Sequence, residues 1–156
     1  MGRGKGISTP QPKSKVFSFS PDDFSKAILQ DLGESKSGDE VAQYIEDTSD
    51  NSAIPWYVMP EIEKHWRDGL RATSENGESI HYQLVELDLQ KLEGCYGGVN
   101  QEWVDGYVQR PNPPAIVFRQ SDEGIQIFDG GHRTKAALTR GDESIRAWVP
   151  HTVCHA

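Results

Sequence analysis

The feature that most restricts how this chain can fold is the continuous run from Ala115 to Pro150, AIVFRQSDEGIQIFDGGHRTKAALTRGDESIRAWVP. Ala115 to Arg119 and Gly124 to Gly130 are short β-type runs, and Ser121-Asp122-Glu123-Gly124 between them has hairpin-turn chemistry. His132 to Arg140 then reads as an alanine-rich helix stopped at Gly141, a favoured residue just past a helix end. Ser144 to Pro150 returns to strand character. A strand, a tight turn, a strand, a helix and a strand within 36 residues leave room only for a compact sheet with a helix laid on it.

The helix start is unusual. His132, Arg133 and Lys135 stand at its front, although the macrodipole favours cations at the opposite end. A bound anion resolves the conflict, because a helix N-terminus offers unpaired N–H groups to phosphate oxygens. Gly130 and Gly131 allow close backbone approach to a ligand or positive φ, and Arg133 carries a forked donor suited to phosphate. His132 adds a hydrogen bond or a proton near neutral pH, and Thr134 and Lys135 complete the first turn. Gly130 to Lys135 is thus the expected nucleotide-phosphate cradle. The bland alternative is a turn followed by a solvated helix face.

Upstream, Ile80 to Leu89 (IHYQLVELDL) reads as a further strand, making four. Asn100 to Arg110 places Trp103, Val104, Tyr107 and Val108 at helical spacing, with Gly106 weakening the helix. Ser20-Pro21-Asp22-Asp23 supplies a cap, a first-turn proline and acids; Phe24, Ala27, Ile28 and Leu32 follow at helical spacing, which predicts a helix ending at Gly33. Two more helices are expected over Gly38–Asp47 and Pro60–Leu70, separated by the proline-broken SAIPWYVMP. The expected organisation is a flexible basic tail at 1–19, a mainly helical segment at 20–79 and a nucleotide-binding domain at 80–156. The fold class is α+β, a mixed sheet with helices.

Charge narrows the partners. The net charge is −8, but residues 1 to 20 hold four basic residues and no acid, leaving 12 basic against 24 acidic side chains beyond them, or −12. Duplex binding depends on phosphate neutralisation by Lys and Arg, so nucleic acid is disfavoured as a partner, while a basic protein suits the acidic surface. No run approaches a membrane span, and the N-terminus lacks the apolar core of a signal peptide, so the expected setting is cytoplasmic, with no membrane partner. Cys95 and Cys154 form no CxxC pair, and His151, Cys154 and His155 in HTVCHA are too few for a structural zinc site. His65 reads as a helix-surface residue, His81 as a strand-edge residue, and Gly94 to Asn100 as a loop.

Asp129, Gly130, His132, Arg133, Ala136, Ala137 and Gly141 form a D-G-x-H-R box with its alanine-rich helix, preceded by Val85 to Leu92 and Pro114 to Val117. In order and type this resembles the ParB/sulfiredoxin superfamily over roughly residues 82–150. Gly131 stands where sulfiredoxins carry their reactive cysteine and where partition proteins carry a glutamate, and the helix-turn-helix of the latter has no counterpart here. The resemblance therefore points to the stand-alone group of free-serine kinases, small nucleotidases and ParB-like nucleases. It implies that Asp129 holds Mg²⁺ or accepts a proton, and that ATP or another nucleotide is bound. A second acid would help such chemistry; Glu102 is the first candidate, then Asp105 and Glu93. The expected function is a nucleotide-binding protein that hydrolyses or transfers a phosphoryl group, as an NTPase, small-molecule kinase or nuclease. The alternative is a non-catalytic acidic inhibitor or adaptor that uses the same fold to bind a protein.

Overall fold

The computed structural model of the chain describes residues 18–48, 59–71, 81–96, 99–109, 113–121 and 123–151. The tail expected at 1–19 lies almost wholly outside them, as do most of SAIPWYVMP and the end of HTVCHA. In chain order the elements are α1 (Pro21–Ser25), β1 (Ile28–Ser37), α2 (Gly38–Thr48), α3 (Met59–Arg71), β2 (His81–Asp88), a 3-10 turn (Leu89–Leu92), α4 (Gln101–Val108), β3 (Ile116–Ser121), β4 (Gly124–Asp129), α5 (Gly131–Arg140) and β5 (Ser144–Pro150).

The strands form one sheet in the order β1-β2-β5-β3-β4, with β3 and β5 parallel and every other neighbouring pair antiparallel. This is an α+β fold. The expected helices over 38–47, 60–70, 100–110 and 132–140 are present, each within one or two residues of its expected limits, and so are the four expected strands.

The helix expected from Ser20 to Gly33 is corrected. Its start is as read: Ser20 Oγ accepts the Asp23 N–H at 3.1 Å, with Pro21 in the first turn. The helix ends after Ser25, however, and Ile28–Ser37 leaves as a strand along the edge of β2. Segment 20–79 contributes three helices, α1, α2 and α3, and also a fifth strand to the same sheet. Phe24 and Ala27 are still buried, since both ways of running the chain turn them inward.

Each face of the sheet is covered. On β2, Val85 and Leu87 face one core with Ile116, Phe118, Ile125, Ala147 and Val149, closed by Phe24, Leu92 and Ala137. Tyr82 and Leu84 point the other way, meeting Val117 and Trp148 beneath Val41, Ile45 and Leu70. A strand buried on both faces explains why apolar residues of 82–89 fall on both sides, Tyr82 and Leu84 on one and Val85 and Leu87 on the other. The outer edge of β4 is partly closed by Phe19, whose N–H and C=O both bond Ile125 at 2.9 Å. No helix among the described residues is long and apolar enough to cross a membrane.

Candidate functional site

The site is set by how β4 hands over to α5. Asp129 is the last residue of β4, opposite Val117. Gly130 follows at φ +117°, where a Cβ would lie 2.3 Å from Ile116 Cγ2. At Gly131 a Cβ would lie 2.7 Å from the carbonyl oxygen of Tyr96. Each glycine thus answers a close approach, the first by β3 and the second by the loop before α4. Gly130 gives α5 no side-chain cap.

Arg133 does not face outward as the sequence reading expected. It is only 5% exposed; Nη1 donates to the carbonyls of Pro114 at 2.9 Å and Ala115 at 3.0 Å, while Nη2 donates to Asp129 Oδ2 at 2.5 Å. The guanidinium is a clamp that fastens the first turn of α5 to the entry of β3. Thr134 is also turned inward, fully buried, its hydroxyl donating to the Gly130 carbonyl at 2.9 Å. Neither side chain is placed to touch a phosphate.

His132 and Lys135 flank the open end. His132 Nε2 accepts the backbone N–H of Asn100 at 3.0 Å, which puts the proton of the neutral ring on Nδ1. Burial lowers its pKa, the Arg133 charge lowers it further, and Asp129 opposes both. Lys135 Nζ lies 3.1 Å from the Tyr96 hydroxyl and 5.0 Å from the centre of that ring. Asn100 also caps α4 through Oδ1, so the starts of α4 and α5 are tied together at His132. The Trp103 ring sits 5.5 Å from the imidazole at a tilt of 40° and remains 42% exposed.

Of the expected catalytic set, Asp129 and His132 occupy the same turn, whereas Glu102 stays exposed in the first turn of α4. Among the described residues no three His, Cys, Asp or Glu side chains gather as a metal-binding group. Asp129 alone, with one oxygen held by a guanidinium, does not fit a protein-held Mg²⁺, which is normally met by free carboxylates together with substrate phosphates. Asp105 accepts instead from Gln101 at 2.9 Å, and Glu93 is exposed. The sequence reading missed Tyr96, Asn100 and Trp103. Asn100 was open to discovery as an N-cap before Gln101-Glu102, but nothing in the sequence sets Tyr96 against Lys135 or leaves Trp103 uncovered.

Fold and site together define an α+β protein in which the start of α5, without a side-chain cap, lies beside an exposed indole. Compared with protein-family models, curated proteins and solved structures, the chain matches none.

Proposed function

We propose that this is a ParB/sulfiredoxin-like nucleotide-binding protein that takes the ligand's phosphates at the start of α5 and its base on Trp103. The observation that carries the reading is that α5 opens through Gly130 with no side-chain cap, with Lys135 one turn on and His132 between. First-turn amides, a lysine and a neutral imidazole N–H are donors suited to an anion, and the exposed indole is a stacking surface. Arg133 serves this site indirectly, by fixing the turn on which the amides sit.

Binding is better supported than phosphoryl transfer. Transfer requires a group to orient or deprotonate the nucleophile and a cation to spread charge, and Asp129 is already occupied on one oxygen by Arg133. Within this proposal the setting is cytoplasmic and any Mg²⁺ arrives with the nucleotide's own phosphates. Calorimetry with the four ribonucleoside triphosphates and their diphosphates, with and without Mg²⁺, tests it, with product release followed in parallel. Saturable binding of at least one nucleotide is expected. No binding of any would overturn the proposal and leave the acidic adaptor, whose −12 body would then be sought by a basic protein partner.

A further inference from the structure

β4 is the last strand of the sheet, and the cover along its outer edge is only begun. Phe19 exchanges both of its backbone hydrogen bonds with Ile125, in antiparallel sense. At the next residue Gln126 Nε2 donates to Ser18 Oγ at 2.8 Å, so the entering chain already follows β4 for two residues in one register. Beyond Gln126 no strand among the described residues pairs with that edge.

Backbone and side chains are both set for the pairing to go on. Successive strand residues turn their N–H and C=O groups to opposite sides, so Ile127, two residues after Ile125, presents the next pair of groups outward. The register of Phe19 on Ile125 brings Phe17 to that position. Ile127 and Phe19 lie against the same core as Ile125 and are only partly buried, while Phe128 is partly buried on the opposite face. The sequence Lys15-Val16-Phe17-Ser18-Phe19 alternates to match, with Phe17 and Phe19 on the Ile127 face and Val16 on the Phe128 face. An open edge between half-covered apolar side chains is a template for a further strand.

We infer that this edge is the docking surface for the chain's own residues 15–18, which add a short sixth strand with Phe17 and Ile127 exchanging both backbone hydrogen bonds. The occupant follows from connectivity: Phe17 is joined directly to Ser18, so it meets Ile127 at an effective concentration that no separate chain matches. Charge agrees with the direction. An antiparallel strand leaving Phe19 runs toward the end of β4, and so leads Lys15 and Lys13 to Asp129, whose carboxylate is a quarter exposed. The irregularity of β4 opposite Val117 and Phe118 begins just after Ile127, which keeps the added strand short.

The test is amide hydrogen exchange on the full chain, read by ¹H–¹⁵N NMR. The amides of Phe17 and Ile127, which point into the new pairing, should exchange about tenfold or more slowly than those of Val16 and Ser18, which point to solvent. Phe17→Pro removes a donor inside the pairing and should speed exchange at Ile127 to the same extent, whereas Val16→Pro removes an outward N–H and should leave Ile127 protected. A Phe17 amide as fast as that of Val16, or Ile127 protection unaltered by Phe17→Pro, would overturn the assignment. Protection that grows with protein concentration would overturn it in favour of a second copy of the chain on this edge.

Discussion

Arg133 reaches back one helical turn to Asp129, and the same guanidinium holds the carbonyls of Pro114 and Ala115. One side chain thereby joins the end of β4, the start of α5 and the entry to β3. Removing it would leave two carbonyls, and a carboxylate that is a quarter exposed, without their donor. Arg133→Ala should cost about 1–3 kcal/mol, the usual penalty for leaving buried acceptors unpaired. Arg140→Ala, at the more exposed end of the same helix, should cost much less. Urea denaturation of the two variants checks this; equal midpoints would mean that Arg133 is not the clamp.

The glycines that bracket α5 should separate by surroundings. Gly130 and Gly141 both have positive φ, +117° and +83°, so alanine strains either one by about 1–2 kcal/mol. A Cβ at Gly141 meets nothing within 4 Å, whereas at Gly130 it would collide with Ile116. Gly130→Ala should therefore lose about 1–3 kcal/mol more than Gly141→Ala, the cost of forcing packed atoms apart. Comparable losses in chemical denaturation would show that the β4–α5 turn can shift away from β3.

How much of this was legible in the sequence depends on where the information sits. The turn at 121–124, the stop at Gly141 and the β-type runs of β4 and β5 are local signals, and each has its element in the structure. β1 was not legible: Ile28–Ser37 contains Gly33 and five charged or polar residues in its middle, and its register against β2 is twice interrupted. Such an edge strand is specified by its partner more than by its own pattern. The N-terminal capping signal at Ser20 was real, but it announces a start and carries no length. The box glycines were read as allowing close approach to a ligand or positive φ; Gly130 has φ +117°, but what approaches the two is the chain itself, Ile116 and Tyr96, from 14 and 35 residues upstream. The direction of Arg133 was hidden for the same reason, since its acceptors at Pro114 and Ala115 are tertiary partners.

His132 should make stability fall on mild acidification. Its folded pKa lies below its ordinary value of about 6.5, so between the two values the unfolded chain binds a proton that the folded chain does not. The contribution is fully present above about pH 6.5 and is lost as pH falls through that value toward the folded pKa. Protonation of Nε2 would also cost the bond from the Asn100 N–H. His132→Gln retains an acceptor and cannot titrate, so the gap between wild type and variant should change across this window. Parallel curves from pH 8 to pH 5 would rule out the coupling.

Cys95 should be inert in the folded protein. It is 2% exposed, and burial, with Glu93 adding to it, pushes its thiol up to about 11, so thiolate is scarce near neutral pH. In a Cys154→Ser background, iodoacetamide at pH 7.5 should leave Cys95 unmodified in buffer and alkylate it readily in urea. Rapid modification of the folded chain would show that Cys95 is reached and ionised in the native state.

The two halves of the proposed nucleotide site should respond to different ligands. Trp103 can serve only the base, because an indole offers a stacking face and lies beside His132 with 42% of its surface uncovered. Lys135 can serve only the phosphates, held ready at the Tyr96 ring. Trp103→Ala should therefore weaken whichever nucleotide binds best by about 1–3 kcal/mol, the usual worth of one stacked base, and leave inorganic triphosphate unchanged. Lys135→Ala should weaken both ligands by a similar factor of roughly ten, the loss of one charge-assisted contact. Isothermal titration of the three proteins with both ligands separates the contributions. If Trp103→Ala binds nucleotide as wild type does while Lys135→Ala fails, the site reads phosphate alone; if neither substitution changes nucleotide affinity, the ligand does not sit at the start of α5.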